Sequence, residues 1–258
     1  MKRAGSFAAA ALLTLTVACG AYNGDLVVFA ASSLKETFAK IGADFERKYP
    51  HSHVRFNFGP SDGLASAIAE GARVDVFASA SEAAMDIVDN EPGVAASDVF
   101  ARNTLVLITP KDSRVSSLAD LAKAGVKLVV GAPTVPAGQY ARQILKKAGL
   151  QRAMKNIVSD EIDVKGVVQK VVLGEADAGI VYATDVTAAV SRSVRTVPIP
   201  DQVNVTATYP IGLVTPSHLD SGTGAVNPHA KLARAFVLYV LGPGQAVLHA
   251  AGFLPASP

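Results

Sequence analysis

Short apolar runs alternate with amphipathic segments along nearly the whole chain, and this alternation restricts the fold more than any other feature. Residues 26–31, 104–108 and 178–182 are apolar runs of strand length, whereas residues 33–48 and 229–241 repeat apolar side chains three or four positions apart. Strands that alternate with helices predict an α/β protein with largely parallel sheets. A chain of 258 residues can form one large domain or two lobes of about 100 to 150 residues each.

The first strand passes into the first helix through two serines, Ser32 and Ser33. The N–H groups in the first turn of a helix lack intrahelical acceptors and lie at the positive end of the helix dipole. A serine hydroxyl beside them forms an anion site that requires no cation. Residues 33–36 also match the S-x-x-E capping box, so a purely structural role for Ser33 is the alternative.

Comparable groups recur further along the chain. Ser61 opens a helix after a turn-rich loop, and Tyr182 ends an apolar strand. Ala137 and Val164 offer backbone N–H groups at the starts of two other helices. Because ligands of parallel α/β sheets bind beyond the carboxyl ends of the strands, we predict that these four groups and Ser33 form one site. A helix cap at Ser61 and a solvent-facing phenol at Tyr182 are the alternatives.

Enzyme motifs are absent from the sequence. It contains no G-x-S-x-G, H-E-x-x-H, Walker A or G-x-G-x-x-G pattern. A serine nucleophile needs an adjacent base, and the five histidines lie away from the strand–helix junctions. The rival from a different functional class is a secreted hydrolase that uses Ser33. It requires a histidine or lysine within hydrogen-bond reach of this hydroxyl.

The amino-terminal segment, residues 1–18, has the form of an export signal. Lys2 and Arg3 precede an apolar run at residues 7–18, which is too short to span a bilayer. Cys19 is the only cysteine and follows Leu-Thr-Val-Ala, which fits a bacterial lipobox except at Thr16. We expect lipidation of Cys19. Ordinary secretion with cleavage a residue or two later is the alternative.

The charge balance argues against a nucleic-acid partner. When Lys2 and Arg3 of the leader are left out, the basic residues equal the 22 acidic residues in number. Proteins that bind nucleic acid normally present a basic surface to the phosphates. An anionic ligand of this chain must therefore be held by local groups.

Four motifs carry a resemblance to a known family. Residues 29–34 read F-A-A-S-S-L, residues 59–61 read G-P-S, residues 135–141 read V-P-A-G-Q-Y-A, and residues 179–182 read G-I-V-Y. In this order they resemble the periplasmic molybdate-binding proteins that feed the molybdate ABC transporter. The resemblance covers residues 25–254.

This resemblance implies a two-lobed periplasmic-binding-protein fold. Each lobe is expected to be a mixed, mostly parallel sheet flanked by helices, and a two-stranded hinge joins the lobes. Residues 25–105 and 208–258 are expected to form lobe 1, and residues 106–207 to form lobe 2. The resemblance also implies a monomer that is not an enzyme and that needs no cofactor and no directly bound metal cation.

The resemblance further implies a ligand and its contacts. Molybdate, with tungstate binding similarly, is expected in the cleft and is delivered to a membrane permease. The expected contacts are the hydroxyls and N–H groups of Ser33 and Ser61, the N–H groups of Ala137 and Val164, and the phenol of Tyr182. The protein is expected in the periplasm or at the outer face of the cytoplasmic membrane. A receptor for sulfate or phosphate is the alternative within the same class.

Two positions beside Ser61 depart from the family pattern. Pro60 removes one backbone N–H donor, and Asp62 places a carboxylate near the proposed dianion. We expect Asp62 to cap the helix and to face outward.

Overall fold

The computed structural model of the chain describes residues 24–215 and 229–257. Its strands in this range are β1 (Gly24–Ala31), β2 (Ser52–Gly59), β3 (Val76–Ala78), β4 (Val94–Pro110), β5 (Leu128–Gly131), β6 (Ile157–Glu161), β7 (Ala178–Tyr182), β8 (Val194–Pro198) and β9 (Thr206–Val214). Its α-helices are α1 (Lys35–Lys48), α2 (Ser61–Ala69), α3 (Glu82–Asn90), α4 (Pro136–Lys147), α5 (Val164–Val172), α6 (Ala230–Leu241) and α7 (Gln245–Ala250).

The strands form a continuous hydrogen-bonded order, β2-β1-β3-β9-β4-β7-β5-β6, with β8 also paired to β4. Strand β1 is parallel to β2 and β3, and β5 is parallel to β6 and β7. The antiparallel pairs all involve β4 or β9. The predicted α/β class with mixed sheets is therefore confirmed.

Strand β4 belongs to both halves of the molecule. One half contains β1, β2, β3 and β9, and the other contains β5, β6, β7 and β8. Its first part pairs with β9 as far as Thr104, which lies opposite Thr206. From Leu105 onward it pairs with β7 and β8. The side chain of Asn204 hydrogen-bonds the backbone N–H and carbonyl of Leu105, so a second chain segment crosses beside β4. This pair of crossings matches the expected two-stranded connection, whereas the exact lobe boundaries stay a prediction.

Two strands differ from the sequence-based expectation. Strand β4 begins at Val94 rather than at Thr104. The prediction missed its first half because exposed Ala, Ser and Asp residues there carry no strand signal. Because proline has no N–H for the ladder, the sequence predicts an interruption at Pro210, but β9 continues through it. The register slips opposite this proline, so that Phe100 forms a β-bulge in β4 at a point where Pro210 has no N–H to donate.

Helix starts also differ from the sequence-based expectation. A 3₁₀-helix at Ser32–Leu34 precedes α1, and α4 begins at Pro136. Proline is favoured at the first position of a helix because its missing N–H needs no partner there. The sequence pattern also predicts a helix over residues 184–190, and this prediction is wrong. Short 3₁₀-helices lie on either side of the β-branched pair at positions 186 and 187, which disfavours a continuous helix.

An aromatic layer fixes α1 on the sheet. Phe38 and Phe45 of α1, Phe100 of β4 and Phe236 of α6 are fully buried. The ring centroids lie 5.6 Å apart for Phe38 and Phe100 and 5.2 Å apart for Phe45 and Phe236. Burial of each such side chain stabilises the fold by about 1.5–3 kcal/mol, so the helix that follows Ser33 has a firmly held position. Within the described ranges, no helix combines the length and apolarity needed to cross a bilayer.

Candidate functional site

The structure brings the five predicted site residues to one narrow cavity between the two halves of the molecule. Ser33, Ser61, Ala137, Val164 and Tyr182 line it together with Ala31, Ser32, Gly59, Pro60, Ala80, Val135 and Pro136. The space between these atoms is about 210 Å³. This figure includes open solvent at the mouth, and the free volume that compares with published pockets of about 300–1,000 Å³ is only about 10 Å³, so no drug-sized molecule fits. None of the described residues that line it carries a charged side chain.

Two serines contribute hydroxyls from the half that contains β1 and β2. Ser33 lies in the 3₁₀-helix after β1, and its Oγ is 3.1 Å from the Tyr209 hydroxyl. Ser61 is the first residue of α2, and its Oγ accepts a hydrogen bond of 3.0 Å from the N–H of Ala80. Neither side chain caps its helix, so the capping alternative is wrong for both residues. The Ser61 proton remains available to an acceptor in the cavity.

Two helix N-termini face the same cavity from the other half. Ala137 is the second residue of α4, and Val164 is the first residue of α5. Their N–H groups belong to the first turn, which has no intrahelical acceptors. Asp163 is the N-cap of α5, and its carboxylate accepts from the N–H of Gly166 at 2.9 Å. This cap leaves the N–H of Val164 for a ligand.

Gly138 places the start of α4 directly on β5. A Cβ atom at this position would lie 2.1 Å from the carbonyl oxygen of Gly131, which is far inside van der Waals contact. Arg142 then donates hydrogen bonds to the carbonyls of Gly131 at 2.7 Å and Gly138 at 3.0 Å. The position of the Ala137 N–H therefore depends on a glycine that permits close packing.

Tyr182 provides a buried donor. Its side chain is 1% exposed, and its hydroxyl has no hydrogen-bond partner among the described residues. Burial raises the pKa of this phenol well above its usual value. The hydroxyl therefore keeps its proton, and a buried polar group without a partner is costly. An acceptor in the cavity would satisfy this hydroxyl. Because the side chain is buried, the alternative of a solvent-facing boundary phenol is wrong.

Sequence reasoning missed two tyrosines whose rings pack against Tyr182. The Tyr140 hydroxyl of α4 donates to the carbonyl of Ala80 at 3.3 Å, which joins the two halves. The rings of Tyr140 and Tyr209 lie at 6.5 and 5.8 Å from the ring of Tyr182. Burial, assisted by the charge of Glu82, raises the pKa of Tyr140 to about 12. Tyr209 is remote in sequence from Ser33 and gave no signal, whereas Tyr140 stands inside the V-P-A-G-Q-Y-A motif.

Asp62 does not cap α2, contrary to expectation. Pro60 occupies the cap position, so Asp62 is the second helical residue, and its Oδ1 is buried without a hydrogen-bond partner among the described residues. A carboxylate in the first helical turn is favoured by the helix dipole. Asp62 is not one of the residues that line the cavity. It therefore does not place an acceptor opposite the ligand.

A second groove lies apart from this site. It runs between the end of α1 and α6, and its cationic lining residues are Lys48, Lys231 and Arg234. The Lys48 ammonium lies 5.7 and 5.6 Å from the ring centroids of Tyr49 and Tyr239. The groove contains none of the predicted site residues.

The geometry around Ser33 does not support the hydrolase alternative. The recorded partner of its hydroxyl is Tyr209, and burial raises the pKa of that phenol. A phenol held in its protonated form cannot act as a base at neutral pH. Within the described residues, no group of three or more His, Cys, Asp or Glu side chains could hold a metal ion.

Comparisons with known proteins agree with this geometry. The family of bacterial extracellular solute-binding proteins matches residues 26–254. The molybdate-binding protein ModA of Mycobacterium tuberculosis is 36% identical over 232 residues, which cover 88% of this chain and 84% of ModA. YvgL of Bacillus subtilis, named as a candidate ABC transporter substrate-binding lipoprotein, is 32% identical over 83% of this chain and 80% of its own length.

A solved structure supports the same fold. The periplasmic molybdate-binding protein of Azotobacter vinelandii superimposes with a TM-score of 0.74 at 24% identity, covering 89% of this chain and 98% of that one. The expected fold and family are therefore confirmed. Because the family match extends over nearly the whole described chain, this protein belongs to the bacterial extracellular solute-binding proteins and is a transport receptor rather than an enzyme.

Proposed function

We propose that this protein is a receptor that binds molybdate, and tungstate similarly, and delivers it to the permease of an ABC importer. The observation that supports this best is the uncharged cavity where hydroxyls meet two helix N-termini. The 36% identical relative is named as a molybdate-binding protein. Sulfate and phosphate are the alternative ligands.

The donors of the cavity match the chemistry of a tetrahedral dianion. Molybdate has four acceptor oxygens and no donor. We assign its contacts to the hydroxyls of Ser33 and Ser61, the N–H groups of Ala137 and Val164, and the phenol of Tyr182. Hydrogen bonds to ionised acceptors are roughly twice as strong as neutral ones. The dipoles of α4 and α5 add partial positive charge, which avoids burying a lysine or arginine beside the ligand.

Cavity size would provide the selectivity. Sulfate has the charge of molybdate but shorter bonds, so it would leave donors unpaired at a cost of about 1–3 kcal/mol each. Hydrogen phosphate carries a proton of its own, and this O–H would face donors only. Both differences favour molybdate and tungstate over the alternatives.

We further propose that the two halves move as lobes. Residues 25–105 with 208–258 would form one lobe and residues 106–207 the other, with the crossings near Leu105 and Asn204 as the hinge. Hinge closure around a ligand is a common mode of domain motion, and closure would present the loaded receptor to the permease. The described contacts between the halves, such as Tyr140 with Ala80, correspond to a closed cleft.

We propose a lipid anchor at Cys19, a residue that lies outside the described residues. The preceding Leu-Thr-Val-Ala and the lipoprotein name of the Bacillus subtilis relative support it. The full chain with Cys19→Ser should leave the membrane fraction of an expressing bacterium. If the variant stays with the membranes as the unchanged chain does, Cys19 is not the anchor.

Calorimetric titration with four oxyanions tests the proposed ligand. Molybdate and tungstate should bind with similar affinity, and sulfate and phosphate should bind at least about 100-fold more weakly, which corresponds to two unpaired donors at about 1.4 kcal/mol each. Equal affinity for sulfate would instead support a general oxyanion receptor. Size-exclusion chromatography of the same samples should show a monomer.

A further inference from the structure

A charged cluster joins the two halves of the molecule beside the cavity. The ammonium of Lys165 on α5 lies 2.8 Å from Glu36 Oε2 on α1 and 3.0 Å from Asp185 Oδ1. Glu36 follows β1, whereas Lys165 and Asp185 belong to the half that contains β5 and β7. The contact between Glu36 and Lys165 therefore crosses the cleft.

Each member of the cluster stands next to a proposed ligand-binding residue in the sequence. The members of each pair lie at most three positions apart, and the pairs are Glu36 and Ser33, Lys165 and Val164, and Asp185 and Tyr182. A shift of Lys165 relative to Glu36 would thus displace donors from opposite sides of the cavity relative to each other.

The cluster is electrostatically strong because part of it is buried. The Asp185 side chain is 0% exposed, and that of Lys165 is 26% exposed. Although burial opposes it, the charges and hydrogen bonds of Asp185 and Glu36 raise the pKa of the Lys165 ammonium. Burial alone would raise the pKa of the Glu36 carboxyl, but the hydrogen bond and charge of Lys165 lower it below its usual value. Both groups are therefore ionised when the cleft is closed.

Lys165 is not placed to grip the anion itself. It is not one of the residues that line the cavity, and two carboxylates compensate its charge. Lys165 can therefore affect ligand binding only through the way it holds the two halves together.

We propose that Lys165 is a positioning residue that ties α5 to α1 and thereby fixes the width of the closed cleft, so that it contributes to discrimination between oxyanions of different size. This inference rests on the proposed oxyanion-binding function. Asp185 holds the ammonium on one side, and Glu36 receives it when the cleft closes. Loss of the tie leaves the donors in place but lets their separation vary, and this weakens selectivity together with affinity.

The chain offers a matched control on the same helix. Lys170 of α5 pairs with Glu175 at 3.1 Å and with Glu161 at 3.8 Å, and both partners belong to the same half as α5. Lys170→Met therefore removes an equal charge and an ion pair from α5 without touching the contact between the halves. Glu36→Gln is the milder test variant, because it leaves the buried Asp185 with its Lys165 partner.

The test measures Kd for molybdate and for sulfate, together with the dissociation rate of molybdate, for wild type, Glu36→Gln, Lys165→Met and Lys170→Met. We expect Glu36→Gln and Lys165→Met to raise the dissociation rate at least about fivefold and to lower the ratio of sulfate Kd to molybdate Kd. Lys170→Met should change neither quantity. An unchanged ratio in Glu36→Gln, or an equal change in Lys170→Met, would overturn the proposal.

A second measurement separates this proposal from the proposed ligand. Spin labels on the outer surfaces of the two halves report their separation without any ligand. Glu36→Gln should broaden the distance distribution towards longer distances, and Lys170→Met should leave it unchanged. If wild type binds none of the oxyanions, the proposed function fails, while the distances still decide whether Lys165 ties the halves. Identical distributions in wild type and Glu36→Gln would refute the tie.

Discussion

The hydroxyl of Tyr182 is a buried donor for which residues 24–215 and 229–257 provide no acceptor in hydrogen-bond geometry. Its removal in Tyr182→Phe should leave the free energy of unfolding unchanged or slightly raised, because a buried unpaired group is lost. The affinity for molybdate should fall about 10- to 100-fold, since a hydrogen bond to a charged group contributes about 1.5–3 kcal/mol. Denaturant unfolding and calorimetry check both parts. Tyr239→Phe in the separate groove is the control, and equal affinity for Tyr182→Phe would remove the phenol from the site.

The two serines should behave differently from Tyr182, because each already has a partner in the protein. Ser33→Ala and Ser61→Ala should each lower the affinity for molybdate about tenfold or more. They should also lower the free energy of unfolding by about 1–3 kcal/mol, since the hydrogen bond with the Tyr209 hydroxyl or with the Ala80 N–H is lost. Ser81→Ala, which removes the cap of α3, is a control that costs stability alone. A serine variant with unchanged affinity would show that its hydroxyl does not contact the ligand.

Asp185 predicts a pH dependence of stability. Burial raises the pKa of its carboxyl to about 6 although Lys165 opposes the shift, whereas the unfolded chain has the ordinary value of 3.8. The folded state thus binds the proton more tightly than the unfolded state does. The contribution of Asp185 to the free energy of unfolding is therefore full below pH 3.8 and is lost as the pH rises through 6. Two pH units correspond to about 3 kcal/mol.

The variant Asp185→Asn should remove this pH dependence. Between about pH 4 and 6 the free energy of unfolding of wild type should fall relative to that of the variant by up to about 3 kcal/mol, and the difference should then stay constant. Denaturant unfolding at four pH values measures it. Lys165 and Glu36 are common to both proteins, so their titration largely cancels. A difference that does not vary with pH would contradict the raised pKa.

Site residues could be predicted from sequence where the signal is local. Ser33, Ser61, Ala137 and Val164 stand at junctions of a strand with a helix, and such junctions can be read from neighbouring residues. The contacts that complete the site are long-range. Ser33 meets Tyr209 across 176 residues and Glu36 meets Lys165 across 129. No periodicity of a single chain encodes such partners, so the sequence predicts which groups line the site but not the contacts behind them.

At the scale of elements, α4 depends on one glycine. A Cβ at position 138 would lie 2.1 Å from the carbonyl oxygen of Gly131, so α4 must move away from β5 in Gly138→Ala. We expect a loss of several kcal/mol of stability, at the upper end for overpacking, and weaker binding of molybdate because the Ala137 N–H shifts. Gly149→Ala, with open space around it but a φ of 69°, controls for strain alone. Full affinity of Gly138→Ala would show that the Ala137 N–H is not a ligand.

Secondary structure could be predicted where the residues that are buried also show the apolar pattern of a strand or a helix. Strand β7 was predicted with its observed bounds because its five residues are all buried and apolar or aromatic. The first half of β4 was missed because it is an exposed, polar stretch held by pairing with β9. That pairing is a tertiary effect, which outweighs local strand preference. The same pairing carries β4 from one half into the other, so the long crossing strand could not be recognised from its composition.

At the scale of the whole molecule, a ligand held between two halves should stabilise the folded chain by mass action. Molybdate at 100 times its Kd adds about 2.7 kcal/mol to the free energy of unfolding. For a chain of this size, each kcal/mol raises Tm by about 2–4 °C, so the expected shift is about 5–10 °C. Sulfate at the same concentration should give a shift several-fold smaller, because about 100-fold weaker binding leaves its site only about half occupied.

Small-angle scattering on the same samples links this stabilisation to closure. A ligand that contacts Ser33 and Ser61 on one side and Ala137 and Val164 on the other must bring the halves together, so molybdate should lower the radius of gyration and sulfate should do so less. A Tm shift without compaction would mean that the anion binds to one half only. In that case the donors of α4 and α5 would not contact it, and the assignment of Ala137 and Val164 would fail while that of the serines could stand.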